Sequence, residues 1–500
     1  MFRFFERLLD PYPAAPPVTP PRGLPAFILH FSRPALPLLL VMSLLTAALS
    51  IVEVVLVSAM GGLVDRLATV EPEVLLDTDG AGLLLAAVAL LLVLPLLSLA
   101  QALVTNQGLF GNYPMIGRWL AHRHMLNQGL AFYQDEFAGR VSQKVMQTAL
   151  AIRDTVTKLM DLMVYVCVYF LATLFLLGQA DLRLTLPLVL WLCGYGLLIL
   201  LFIPRLGRVS MEQADARAVM TGRVVDSYSN IQTIKLFADT RREEAYARDA
   251  MEEFMVTVYR QMRLATGLSV TLSTLNALLL VGVAGTAVLA WSSGTISLGI
   301  VAAAIALVMR IRFMSEWILW EIASLFENIG TVQDGMNTIA REPDVQDLPE
   351  AGELRVPQGE IRFEAIRFGY SRPGQPPRRV FDGLDLIIAP GEKVGLIGRS
   401  GAGKSTLANL LLRFYDLESG RIRIDGQDIA SVTQGSLRRQ IGMVTQDTSL
   451  LHRSLRDNIR YGSPDASDAL VLDAVRRAHA DSFIDDLVDA QGRCGLDAHV

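Results

Sequence analysis

The first two thirds of the chain consist of long apolar stretches separated by charged segments. A helix needs ~20 predominantly apolar residues to cross the ~30 Å hydrocarbon core of a bilayer. A buried helix of a soluble protein can imitate one such stretch, but six in succession predict an α-helical polytopic membrane domain. The six stretches are residues 35–64, 80–109, 162–178, 184–204, 264–291 and 296–320.

The charges between these stretches predict how the helices are oriented. The connection after the first stretch is acidic, whereas lysine and arginine concentrate in residues 110–160 and 205–263. Because excess lysine and arginine mark the cytosolic side, both ends of the sequence are predicted to be cytosolic. A structureless loop of about fifty residues is unusual. We therefore expect spans two to five to continue into the cytosol as helices and to turn near residues 132–141 and 224–237.

Composition agrees with a membrane protein, since 52% of the residues are hydrophobic and only 19% are charged, against ~25% charged in a typical soluble domain. The net charge of −5 points to no nucleic-acid partner. Three cysteines are too few for a disulfide framework, and Cys167 and Cys193 lie in apolar runs, where we expect buried, inert thiols. Residues 1–33 lack the apolar region of a secretory signal and are predicted to be a cytosolic tail and elbow.

A different pattern begins after a proline- and glutamate-rich linker at residues 341–358. Apolar and polar positions alternate from residue 361, as in a β-strand, and further strands are predicted at 394–397 and 441–444. Between these two lies GRSGAGKST, residues 398–406, which matches G-x-x-x-x-G-K-[ST]. A strand before it and an apolar helix after it favour a phosphate-binding loop (P-loop) over a glycine turn with a solvated lysine.

The residues of this loop suit the phosphates of ATP. Glycines let backbone N–H groups converge on phosphate oxygens without a Cβ in the way, and a helix that begins at Lys404 directs its positive end at the same anion. Lys404 is predicted to reach the β- and γ-phosphates, and the Ser405 hydroxyl to ligate Mg²⁺. The predicted ATP-binding residues of the loop are Gly398, Arg399, Ser400, Gly401, Ala402, Gly403, Lys404, Ser405 and Thr406.

Several stretches resemble the ATP-binding cassette (ABC) transporters, specifically the exporter-type half-transporters in which six spans precede one nucleotide-binding domain. The resemblance covers nearly the whole chain from Pro34 onward. Beside the P-loop, the matching stretches are RFGY at 367–370, SGRIRIDGQDI at 419–429 and LRRQIGMVTQDTSLLHRSLRDNIRYG at 437–462.

This resemblance implies roles for further residues. Tyr370 would stack on adenine, with a plain strand aromatic as the alternative. Gln446 would contact Mg²⁺ and the attacking water, with a surface glutamine as the alternative. Residues 132–141 and 224–237 would be coupling helices, which carry movements of the nucleotide-binding domain to the spans.

The sequence stops at Val500, before the positions at which the family has its signature motif, Walker B aspartate, catalytic glutamate and switch histidine. We expect the natural chain to continue beyond this point. The predicted domains are a tail and elbow at 1–33, a six-helix transmembrane domain at 34–340, a linker at 341–358, and the first part of an α/β P-loop NTPase domain at 359–500.

The sequence therefore predicts an ATP-driven transporter, most simply an exporter of an amphipathic, lipid-like or drug-like substrate in a bacterial inner membrane. One chain holds half the spans and one P-loop, so a homo- or heterodimer is expected. Three alternatives remain open: a regulatory or degenerate half of a heterodimer, a membrane-anchored NTPase that transports nothing, and an importer built on the same fold.

The sixth apolar stretch carries charges that predict a substrate path. At ~100° per residue, Arg310, Met314, Trp317 and Glu321 lie on one helix face, and intramembrane charges usually face a cavity or a partner. We expect this face to favour amphipathic substrates with an anionic group, with Glu53 of the first span as a further cavity charge. The alternative is that the helix has already left the bilayer at Arg310. On the opposite face, Arg312 and Glu316 are spaced for an intrahelical ion pair.

Overall fold

The structure is a computed structural model that describes every residue except Met1, Ala15, Pro17, Ser400 and residues 70–71, 238–239, 373–374 and 447–448. The chain divides into two compact units, which are described separately. Unit 1 comprises Met1–Asn127 and Phe137–Glu342, and unit 2 comprises Gln128–Glu136 and Pro343–Val500.

Helices make up nearly all of the chain as far as residue 339. Within the described residues, six helical stretches are long and apolar enough to cross a membrane, which confirms the six predicted spans. The helices are α1 Phe2–Glu6, α2 Leu24–Ser32, α3 Leu36–Thr69, α4 Pro72–Ala102, α5 Asn112–Leu126, α6 Leu130–Asp135, α7 Ala138–Thr157, α8 Met163–Ala180, α9 Thr185–Ser229, α10 Ile231–Phe237, α11 Thr240–Ser292 and α12 Leu298–Ile339.

Two of the spans extend far beyond the thickness of a membrane. Helix α9 has 45 residues and α11 has 53, which correspond to ~68 and ~80 Å at 1.5 Å per residue. Both lengths are more than twice the ~30 Å hydrocarbon core. The short helices α6 and α10 lie where the two predicted turns were expected, and Leu236 and Phe237 at the end of α10 are largely exposed.

Helices α3 and α12 approach each other closely at one end. A Cβ placed on Gly299 would lie 1.9 Å from the carbonyl oxygen of Gly61, so glycine is required at this crossing. One turn further, Asp65 of α3 accepts hydrogen bonds from the Ser297 hydroxyl and the Gly299 N–H, both at 2.5 Å. An α3 carboxylate therefore caps the beginning of α12, where the first N–H groups have no intrahelical acceptor.

A polar group of residues lies inside the apolar core of unit 1 and joins α9, α11 and α12. The Asn276 side chain accepts a hydrogen bond from Trp191 Nε1 at 3.0 Å and donates one to Ser315 Oγ at 2.9 Å. Asn276 and Ser315 are completely buried. The Trp191 ring stacks on Tyr195, whose hydroxyl donates to the Ser315 carbonyl at 3.1 Å. These bonds fix the relative rotation of three helices.

The prediction that Cys167 and Cys193 are buried is wrong. Both side chains are exposed, next to other exposed apolar side chains such as Leu171 and Leu190 on the same helices. The two cysteines lie on the outer faces of spans, where the bilayer takes the place of a protein interior.

Unit 2 contains an antiparallel sheet of four strands in the order β2–β1–β3–β4. Phe363, Ile366, Ile422 and Ile424 on this sheet pack with Leu410 in its core. The strands are β1 Ile361–Arg372, β2 Gln375–Ile388, β3 Ser419–Ile424 and β4 Gln427–Asp428, and the helices are α13 Lys404–Leu411, α14 Gln434–Arg439, α15 Leu455–Ile459, α16 Asp468–Arg477 and α17 Asp481–Ile484.

Two predicted strands, 394–397 and 441–444, are not strands in the structure. Ile397 is 100% exposed and Val444 is 97% exposed. A strand exists only when its N–H and C=O groups pair with a neighbouring strand, and none of the described residues forms a ladder with either segment. The fold class itself is confirmed: six spanning helices precede a nucleotide-binding domain with a small antiparallel sheet.

Candidate functional site

The P-loop wraps tightly between β2 and α13. Gly401 and Gly403 have φ angles of +82° and +91°, a region that side chains other than glycine rarely adopt. A Cβ on Gly403 would lie 2.9 Å from Val380 Cγ1 and 3.0 Å from Phe381 Cζ of β2. The Ala402 N–H donates to the Arg399 carbonyl at 3.1 Å and closes the turn. Ser400, also predicted to bind ATP, lies outside the described residues.

Lys404 begins α13 and reaches back across the loop. Its Nζ donates to the carbonyl oxygens of Gly398 at 2.8 Å and Arg399 at 3.0 Å. Thr406 is buried beneath the helix start, whereas Ser405 is exposed. The first-turn N–H groups of a helix have no intrahelical acceptor and carry its positive dipole end. With the cationic Lys404 and the exposed Ser405 hydroxyl, the loop therefore fits an anionic polyphosphate.

Tyr370, predicted to stack on adenine, lies beside the P-loop helix. Its ring meets Phe368 and Tyr415 edge to face, with centroid distances of 5.0 and 5.4 Å. Its hydroxyl is 3.1 Å from Thr406 Oγ1. The sheet aromatic and the first turn of α13 thus form one cluster, and the ring sits at the edge of the loop.

A contact that sequence reasoning missed links this cluster to α6, which belongs to the same unit. Tyr415 donates a hydrogen bond from its hydroxyl to Gln134 Oε1 at 2.8 Å. A chain of contacts therefore runs from Gln134 through Tyr415 and Tyr370 to Thr406. Gln134 falls within the turn predicted at 132–141, but no motif distinguishes Tyr415 from any other aromatic residue.

Gln446 is not brought to this cluster. It is exposed, lies outside any helix or strand, and precedes residues 447–448, which lie outside the described residues. Its predicted role next to Mg²⁺ rests on the family resemblance alone.

In unit 1, the structure brings Arg310 and Glu53 together. The residues of the predicted α12 face, however, do not share one environment. Arg310 Nη2 is 3.2 Å from Glu53 Oε2 and donates to Tyr165 Oη at 2.9 Å, and Tyr165 Oη donates to Glu53 Oε2 at 2.6 Å. Sequence reasoning missed Tyr165. Met314 is buried in the bundle core, and Trp317 is 48% exposed.

Two further charged residues of α12 have different surroundings. Glu321 pairs with Lys158, whose Nζ lies 2.8 Å from Glu321 Oε2. The prediction of an ion pair between Arg312 and Glu316 is wrong, because the ion pairs among the described residues do not include it. An exposed pair of this kind gains only ~0.3–0.5 kcal/mol, which the entropy of holding two long side chains offsets.

Together these observations define a membrane protein with six spans whose second unit carries a P-loop. Two family models match it: "ABC transporter transmembrane region" over residues 36–315 and "ABC transporter" over residues 381–494. The chain belongs to the ABC transporter family.

Individual relatives agree. The chain is 49% identical over its whole length to an "Uncharacterized ABC transporter ATP-binding protein" of Haemophilus influenzae, of which it covers 81%. It is 35% identical over 277 residues, 54% of this chain, to a "Fatty acid ABC transporter ATP-binding/permease protein" of Mycobacterium bovis, of which it covers 42%. The solved structure of a bacterial Atm1-family ABC exporter with ATP bound matches 94% of this chain and 80% of that chain, with a TM-score of 0.77 and 25% identity.

Proposed function

We propose that this chain is an exporter half-transporter that moves an amphipathic, lipid-like or drug-like substrate across a bacterial inner membrane, with both ends of the sequence in the cytosol. Family membership implies ATP hydrolysis coupled to transport, and the half-transporter fold implies a dimer in a bilayer. The substrate range is consistent with the fatty acid transporter among the relatives. The single observation that carries the proposal is the contact chain from α6 through Tyr415 and Tyr370 to the P-loop helix.

Named residues take the roles that ATP and Mg²⁺ would require. Bound ATP would supply the phosphoryl group whose hydrolysis drives the cycle. Lys404 neutralises the phosphates, Ser405 offers a hydroxyl ligand to Mg²⁺, and the loop N–H groups hold the phosphate oxygens. Tyr370 presents an aromatic face for adenine, and Gln446 orients water. The remaining proposed phosphate contacts are Gly398, Arg399, Ser400, Gly401, Ala402, Gly403 and Thr406.

The two turns, α6 and α10, would carry movement between the nucleotide-binding domains and the spans. Leu236 and Phe237 are largely exposed on α10, and exposed apolar residues of this size favour a partner surface. We place the nucleotide-binding domain of the second subunit there. Each subunit would then receive contacts from both chains, so closure of the paired domains would switch the spans from one access state to the other.

On the side of the spans, the proposed substrate cavity includes Arg310, Glu53, Trp317 and Glu321, with Met314 behind them. Since Glu53 offsets the charge of Arg310 at 3.2 Å, the structure supports an anionic preference less than the sequence did. Trp317 and Met314, the aromatic and apolar residues of this set, continue to support an amphipathic substrate.

The test is Lys404→Ala in the full natural protein reconstituted in proteoliposomes. Loss of the lysine charge should abolish ATP hydrolysis and ATP-dependent substrate movement while the protein stays folded and in the membrane. A conservative control is Lys393→Ala, which lies outside the loop and should retain both activities. Transport at the wild-type rate in Lys404→Ala would refute the proposal.

A further inference from the structure

Asp161, a carboxylate immediately before the third predicted span, has no ion-pair partner among the described residues. Asp161 Oδ1 accepts hydrogen bonds from Thr46 Oγ1 and from Gln101 Nε2, the latter at 3.2 Å. Gln101 also donates to Thr46 at 2.9 Å, and Thr46 is 2% exposed. Both partners are neutral. Oδ2 accepts no hydrogen bond from any described residue, and the Asp161 side chain is partly exposed.

The neighbouring charges are already in pairs. Arg310 is paired with Glu53, and Lys158, one turn before Asp161, is paired with Glu321 at 2.8 Å. None of the ion pairs among the described residues involves Asp161. The two cations near the α3–α8 seam are therefore offset by two carboxylates, and Asp161 leaves this region with one negative charge in excess.

Asp161 itself lies one residue before the third predicted span, at the cytosolic edge of the predicted membrane, whereas its two hydrogen-bond partners lie further in. Thr46 is eleven residues from the cytosolic end of the first predicted span, and Gln101 is eight from that of the second, or ~16 and ~12 Å at 1.5 Å per residue. From this edge, Asp161 bonds to neutral residues that lie deeper in two other spans, and an acidic residue held in this way within a transmembrane bundle is by default a functional-site hypothesis.

The backbone gives independent support for a functional site. The third and second spans each contain a π-helical segment, Lys158–Leu162 and Leu103–Leu109. The first contains Asp161, and the second begins two residues after Gln101. π-Helical turns are rare and are frequent at functional sites, and here one contains the carboxylate and the other lies next to its partner Gln101.

Asp161 lies along the same seam between α3 and the third span as the Arg310 cluster, which consists of Arg310, Glu53 and Tyr165. Asp161 and Tyr165 are four residues apart on the third span, and Thr46 and Glu53 are seven apart on α3, so each pair lies on one side of its helix. The contacts of Thr46 with Asp161 and of Glu53 with Tyr165 repeat along one seam. The carboxylate thus lies on the same seam as Glu53, which the proposed substrate cavity includes.

We propose that Asp161 is a binding site for the cationic group of an amphipathic substrate, such as a protonated amine or a lipophilic onium ion. This inference rests on the proposed function and names its substrate class. Thr46 and Gln101 hold one carboxylate oxygen in place, and the other faces the incoming charge. In a partly exposed site the attraction between unit charges at about 4 Å is still substantial, which gives a cation an advantage that a neutral analogue lacks.

The experiment compares two ions of similar size and opposite charge, tetraphenylphosphonium and tetraphenylborate, binding to the full natural protein in nanodiscs without nucleotide. The wild type should bind the phosphonium at least tenfold more tightly than the borate. Asp161→Asn should raise the phosphonium Kd at least tenfold and leave the borate Kd within threefold. Glu316→Gln removes an exposed carboxylate on another face of α12 and should change neither Kd.

Asp161→Glu retains the charge and should bind the phosphonium within a few-fold of the wild type, which also covers the case in which Asp161→Asn does not fold. Equal phosphonium affinity in Asp161→Asn, or equal affinity of the wild type for the two ions, would overturn the site. A loss in Asp161→Glu as large as in Asp161→Asn would also overturn it. Because no nucleotide is present, none of these results depends on Lys404, so failure here leaves the proposed function standing.

Discussion

Asn276 offers the sharpest test of the packing inside unit 1. Asn276→Leu keeps a side chain of similar size and removes the amide that accepts from Trp191 Nε1 and donates to Ser315 Oγ. The Ser315 hydroxyl keeps its own donation to the Arg312 carbonyl at 2.7 Å. The substitution therefore leaves one main buried donor without an acceptor, the indole N–H of Trp191, a residue that is 5% exposed.

The expected loss of stability follows from that single unpaired N–H group. A buried donor without an acceptor costs ~1–3 kcal/mol, whereas hydrogen bonds between membrane helices average ~0.6 and reach ~1.7 kcal/mol, because the unfolded chain in the membrane also finds partners. The second range applies to spans, so we expect Asn276→Leu to destabilise the protein by about 1–1.5 kcal/mol. Trp191→Phe removes the donor, and in that background Asn276→Leu should cost less than ~0.5 kcal/mol.

The assay is SDS-induced unfolding of the purified protein in mixed micelles, applied to both single variants and to the double variant. A coupling energy of about 1 kcal/mol is expected. Trp119→Phe is the matched control, since its Nε1 bonds to the Pro13 carbonyl at 3.2 Å and its change should add to Asn276→Leu within ~0.3–0.5 kcal/mol. If the Trp191 and Asn276 changes were equally additive, the hydrogen bond would contribute nothing and the reasoning would be wrong.

The remaining predictions concern coupling and substrate. Gln446→Ala should leave ATP affinity within about threefold and lower substrate-stimulated turnover, measured by nucleotide binding and ATPase assays; loss of ATP binding would contradict its proposed place. Arg310→Ala should reduce substrate stimulation of ATPase activity more than Arg312→Ala, whose side chain lacks an ion-pair partner among the described residues, and the reverse order would remove Arg310 from the substrate path. Tyr415→Phe keeps the ring contact but loses the bond to Gln134, so ATP affinity should hold while transport per ATP falls, and unchanged transport per ATP would refute the link.

The spans and the P-loop were predictable because each depends on a signal that is local in sequence. A helix in a bilayer satisfies all its backbone groups within one segment, so ~20 apolar residues suffice to predict it. The P-loop likewise depends on the backbone freedom of glycine at Gly401 and Gly403. The lengths of α9 and α11 were also accessible, since charged residues with helical spacing and little glycine or proline continue the pattern of the spans.

The strands at 394–397 and 441–444 were wrong because strand formation is not local. Apolar runs such as the one that includes Ile397 have the composition of a buried parallel strand, but composition supplies no partner. In the structure, β1 pairs with β2 and β3, and neither run joins that sheet. The contact of Tyr415 could not be predicted for the same reason. It arises only because α6, distant in sequence, brings Gln134 to within 2.8 Å of the Tyr415 hydroxyl.

The net charge of a site inside the spans is the property that the sequence of a single helix predicts least well. A helical wheel places Arg310 and Glu321 on one face of α12, which suggested a cavity that favours anions. Across helices, however, Arg310 lies 3.2 Å from Glu53 of α3, and Glu321 lies 2.8 Å from Lys158. Each charge on that face is therefore offset by a residue more than 150 positions away in sequence. Asp161, one residue before the third predicted span, also has no ion-pair partner among the described residues, and composition alone gives this position as a helix end. The net charge of this face is thus decided by contacts between helices, which a helical wheel of α12 alone does not contain.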